Sequence, residues 1–106
     1  DVLAAAHGLP PDTRFPLAVA ELPRRFLVEL DGYPPGASPR RRKPGYLPAG
    51  MAMVTFTTDR LDRVARRARA PAAALATRPY DGRRALVIEG PAGEWLELVE
   101  DPAPGR

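Results

Sequence analysis

The chain has 106 residues, one tryptophan, no cysteine and a formal charge of +3; that size allows one domain, near the lower end of those that bury a self-sufficient core. No apolar run reaches the roughly 18 residues that would span a bilayer, no leader peptide opens the chain, and the absence of cysteine excludes disulfides and thiolate chemistry and fits a cytoplasmic protein. All but one of the basic side chains are Arg, Lys43 being the exception, and they are scattered among Asp and Glu, whereas a nucleic-acid surface gathers them on one face beside stacking aromatics; neither nucleic acid nor a membrane is expected as a partner.

In chain order, Val2 to His7 reads as the end of a helix, with Gly8 as its stop and Pro10 beyond. Phe15 to Leu22 and Phe26 to Asp31 read as two strands joined by a tight turn at Pro23-Arg24-Arg25. Residues 35–49 hold Pro35, Gly36, the basic run Arg40 to Lys43, Pro44, Gly45 and Pro48, with no packing period, and read as a solvated connector. Met51 to Thr58 is a strand by its β-branched and large apolar content. Asp59 to Arg69 is the clearest helix: Leu61, Val64, Ala65 and Ala68 share one face, Asp59 is the expected N-cap, Asp62 suits the first-turn dipole, and Pro71 ends the run. Ala73 to Arg78 is a weak strand candidate. Arg83 to Glu89 follows the turn signal Asp81-Gly82, and Trp95 to Glu100 follows Gly90-Pro91-Ala92-Gly93.

Sliding the chain against itself gives one informative register. Val19 falls on Val87, Glu21 on Glu89, Pro23 on Pro91, Glu29 on Glu97, Leu30 on Leu98 and Pro34 on Pro102, each pair separated by 68 residues (87 − 19, 97 − 29 and the rest). Unrelated stretches of this length match at about one position, so a duplicated unit is the stronger reading; two unrelated hairpins of similar composition are the alternative. The same offset places the first unit's opening strand and helix before residue 1. One complete unit and the back half of another are therefore expected. The gap would be filled by a second copy of the chain, giving a homodimer, or by its own N-terminal segment.

A duplicated strand–helix–three-strand unit resembles the vicinal-oxygen-chelate superfamily, which includes glyoxalase I, extradiol dioxygenases and bleomycin-resistance proteins. The resemblance is carried by the run Met51 to Asp59, the turn Gly90-Pro91-Ala92-Gly93 and the close Trp95-Leu96-Glu97-Leu98-Val99-Glu100. It implies an α+β fold of paired βαβββ modules around a cup for a small organic ligand. The boundaries are 1–34 for the back half of the first module, 35–49 for the connector, 50–102 for the complete second module and 103–106 for a tail. Metal-using relatives carry ligands on the first and last strand of each module, and Glu97 and Glu29 match the last-strand positions. The first-strand position, seven residues before Asp59, falls on Ala52, which binds nothing.

Glu97 shares its strand face with Trp95 and Val99, where a carboxylate needs a ligand, a metal or an Arg partner. Glu29, between Leu27 and Asp31, has a more polar setting. Tyr80 flanks a strand end and, like Tyr33 and Tyr46, is placed to line a cup mouth or cover an edge. His7, the only imidazole, suits a helix C-terminus as a cap. No Ser-His-Asp set or phosphate-cradling loop can be assembled. The expected ligand-binding residues are thus Glu97, Glu29, Trp95 and Tyr80, with no catalytic set assigned. No cofactor is expected; a divalent metal on Glu29 and Glu97 is the disfavoured fallback, because two carboxylates alone make a poor transition-metal site. The expected function is metal-free small-molecule binding. The alternative is a metal-dependent lyase, isomerase or dioxygenase whose other ligands lie in an N-terminal segment.

Overall fold

A computed structural model describes residues 2–91 and 93–101. Ala92 in the expected turn, Pro102 in the repeat and the tail at 103–106 lie outside them. The protein is α+β and divides into two compact units, Asp1–Pro39 and Arg40–Arg106.

The first unit opens with helix α1 (Val2–Ala6), after which Gly8 adopts φ +63° and the Leu9 N–H returns to the Ala4 carbonyl at 2.8 Å. A left-handed residue here satisfies a carbonyl that the helix end would otherwise leave unpaired. Strands β1 (Leu17–Leu22) and β2 (Phe26–Asp31) then form an antiparallel hairpin. Its turn bends through Arg24 and Arg25, both at positive φ. Cross-strand partners share a face, so the register sorts the side chains cleanly. Ala18, Ala20, Leu22, Phe26, Val28 and Leu30 make one wholly apolar face; Leu17, Val19 and Leu27 share the other with Glu21, Glu29 and Asp31. Phe26 and Leu30 remain 62% and 57% exposed.

The second unit runs β3 (Met53–Thr58), α2 (Leu61–Ala68), β4 (Ala73–Ala74), β5 (Arg84–Glu89) and β6 (Trp95–Glu100). Its sheet order is β3-β6-β5-β4, with β3 parallel to β6 and the other pairs antiparallel. Helix α2 is shorter than its periodicity suggests and is not capped by Asp59. Arg60 stands at the N-cap without a side-chain cap, its own N–H bonded to Thr58 Oγ1 at 3.1 Å, while Asp59 pairs loosely with Arg60 at 3.8 Å. The helix closes through Arg69 in the left-handed region, ahead of Pro71. Only Ala73–Ala74 of the weak strand candidate pairs with β5; the chain then loops through a cis Arg78–Pro79 bond to the Asp81-Gly82 turn, both residues at positive φ.

The parallel β3–β6 pair requires a crossover, and α2 supplies it, lying against β5 and β6. Arg84, on the helix-covered face of β5, bonds Asp62 of α2 at 2.8 Å. Leu61 and Leu86 are buried there. The opposite face carries Glu97.

The two hairpins have the same register. Val19 pairs with Glu29 in one and Val87 with Glu97 in the other, and Ala18 with Leu30 as Leu86 with Leu98. The 68-residue offset seen in the sequence therefore also relates the backbone pairing of the two hairpins.

Candidate functional site

Alternation along β6 puts Trp95, Glu97 and Val99 on the sheet face opposite α2. The parallel register brings Thr55 of β3 abreast of Glu97, and the antiparallel one brings Val87 of β5 to its other side. Glu97 is the one buried charged residue among those described, at 6% exposure. Its two oxygens are both engaged: Thr55 Oγ1 donates to Oε2 at 2.7 Å and the Tyr80 hydroxyl donates to Oε1 at 2.5 Å. The partners expected from sequence were a ligand, a metal or an Arg. The protein partners the structure shows are instead two neutral hydroxyls.

Tyr80 arrives from the loop between β4 and β5. That loop is held by the Tyr80 N–H on the Thr77 carbonyl and by Arg83, whose Nε donates to the Tyr80 carbonyl at 2.9 Å and whose Nη2 donates to that of Pro79 at 2.6 Å. The phenol is held above its ordinary pKa, chiefly because its proton is donated to Glu97, with burial and the Glu97 charge adding to the effect.

The site thus brings Glu97 and Tyr80 into contact and sets Trp95 on the same face. Glu29, the fourth expected residue, is exposed on the β1–β2 hairpin of the other unit. His7 is exposed just past the end of α1. Tyr33 and Tyr46 are both largely exposed, Tyr46 beneath the Lys43 ammonium at 4.8 Å.

Thr55, Arg42 and Glu89 were missed. Counting back from Asp59 selects Ala52, which precedes β3 and is not abreast of Glu97; alignment of β3 with β6 would have pointed to Thr55 instead. The basic run is exposed, but Arg40 and Arg42 within it are held. Arg40 donates to the Met51 carbonyl at 2.6 Å, and Arg42 bonds Glu89 at 2.7 Å while standing 5.8 Å over the Trp95 ring.

A second polar cluster lies on the helix side. Arg84 grips Glu100 through two nitrogens and Asp62 through Nη1, and these bonds hold both carboxyls below their ordinary values and raise the guanidinium. It ties α2 to the sheet and is structural. A shallow hollow of about 460 Å³ beside it is rimmed by Arg60, Arg63 and Arg67 over Val64 and Ile88, on the face away from Glu97.

Among the residues described, no three His, Cys, Asp or Glu side chains gather as a ligand set. No helix among them is long and apolar enough to cross a membrane. No family model, no curated protein and no solved structure matches the chain.

Proposed function

We propose that the second unit binds a small organic ligand, without a metal, on the sheet face that carries Glu97. The observation that carries this is a buried carboxylate whose protein partners are neutral. A buried negative charge is costly unless matched, and two hydroxyl donors steady it without cancelling it. Each carboxylate oxygen can accept more than one hydrogen bond, and the Thr55 and Tyr80 oxygens can still accept. The ligand that complements this arrangement presents hydrogen-bond donors or a positive charge, with an apolar portion for Val87 and Trp95. The strand–helix–three-strand order of this unit and the shared hairpin register support the further reading of paired βαβββ modules of the glyoxalase-like kind.

Glu97→Gln tests the reading with little risk to the fold. The amide oxygen still accepts from Tyr80, and the amide nitrogen can donate to Thr55 once that hydroxyl turns. A thermal-shift screen of small organic amines, amides and acids against wild type and variant should yield compounds that raise the melting temperature of the wild type alone. Compounds that stabilise both proteins equally would remove Glu97 from the site.

A further inference from the structure

We propose that Glu89, Trp95 and Gly93 form a guanidinium-binding niche, filled in the ligand-free chain by its own Arg42, so that residues 40–50 act as an intramolecular competitor for cationic ligands. The proposal deepens the ligand-binding reading and rests on it only in that Trp95 belongs to the same sheet face.

Three contacts define the niche. Glu89 Oε1 takes a hydrogen bond from Arg42 Nη1 at 2.7 Å. The guanidinium carbon stands 5.8 Å from the centre of the Trp95 ring, within the range of cation–π attraction. Gly93, at φ +81°, leaves the space clear: a β-carbon there would lie 2.5 Å from Arg42 Nη2. Glu89 and Trp95 are cross-strand partners on the face that carries Val87 and Glu97 one pair further along. A planar cation is thus received by a carboxylate and an indole, the two groups that recognise guanidinium best.

The internal occupant is held loosely. The Arg42 and Glu89 side chains are 40% and 49% exposed, so solvent and salt screen the pair. Attachment to the same chain offsets this weakness, because a tethered group competes at an effective concentration on the order of millimolar. A free guanidinium must displace Arg42 to bind, and the segment it anchors would be released from Trp95.

Trp95 is the single tryptophan of the chain, so its fluorescence reads the niche directly. Arg42→Ala should increase quenching of Trp95 by acrylamide, while Lys43→Ala should leave it unchanged. Agmatine, a small guanidinium probe, should bind Arg42→Ala about three- to tenfold more tightly than wild type, the range that loss of an exposed ion pair and cation–π contact allows. Adding Glu89→Gln to Arg42→Ala should abolish that binding, and the uncharged analogue N-butylurea should not bind. Adding Glu97→Gln instead should leave agmatine binding in place, which separates failure of the Glu97 reading from failure of this one. Unchanged quenching in Arg42→Ala, equal agmatine affinity in wild type and Arg42→Ala, or equal binding of N-butylurea would each overturn the proposal.

Discussion

Glu97 and Tyr80 are coupled through one proton. The phenol donates to a carboxylate oxygen, and ionising it would set two negative charges against each other in a half-buried place. The neutral phenol is therefore favoured in the folded protein and its pKa is raised. The stabilisation from this bond is fully present below the ordinary tyrosine value of 10.0 and is lost as pH climbs through the higher folded value. An ultraviolet titration should show a tyrosine step above the ordinary value of 10.0, and that step should vanish in Tyr80→Phe. The variant should also be less stable at neutral pH, because Oε1 loses its donor, and its stability should decline less at alkaline pH. A wild-type titration without that raised step would show that the bond does not form. Alternation along β6 was enough to set Glu97 beside Trp95 and Val99 in the sequence. Its hydroxyl partners were not legible there, because Thr55 is 42 residues away along the chain and Tyr80 is 17.

Helix α2 is eight residues long, too short to persist alone in water. Its stability comes from the face it turns to β5 and β6, where Leu61 is 2% exposed, and from Arg84, which binds Asp62 of the helix and Glu100 of the sheet together. Truncating Leu61 leaves a cavity under α2. Leu61→Ala should cost about 2–5 kcal/mol, a large part of the margin of a small domain. Urea unfolding followed by far-ultraviolet circular dichroism would measure it, and a loss below about 1 kcal/mol would mean that the helix is not anchored there. The helix itself was readable from its 3.6-residue period. Its ends were not: Asp59, the expected N-cap, is one residue from the true one, Arg60, whose N–H is taken by Thr58 Oγ1.

Across the whole molecule, two hairpins of the same register differ in what covers them. In the second unit, Leu86 and Leu98 are covered by α2, and β6 also pairs with β3. The equivalent positions of the first unit, Ala18 and Leu30, lie on an apolar face where Leu30 is 57% exposed and Phe26 62%, on a sheet of only two strands. A two-stranded hairpin is marginal by itself, and an exposed apolar sheet face and open edge invite association. Hydrogen exchange on a dilute sample should find β5–β6 amides protected and β1–β2 amides exchanging much faster. Raising the protein concentration should slow exchange in β1–β2 and raise the mass measured by light scattering, as expected if a second copy covers the face. Equal protection of both hairpins in a proven monomer would contradict this account.

The 68-residue repeat, the strand order and the helix were properties of the sequence alone, because period, turn chemistry and identity at a fixed offset are local or linear signals. Composition likewise excluded disulfides. Tertiary structure decided which strands are neighbours: the parallel pairing of β3 with β6 sets Thr55, not Ala52, abreast of Glu97. It also decided that the basic run is not a free connector, since Arg42 reaches Glu89 across 47 residues. Neither contact has a linear signature. Pairing at such separation is chosen by which arrangement buries Leu61 and Leu86 on the helix side of the sheet and Val99 on the other, and that choice is made by the packed chain as a whole.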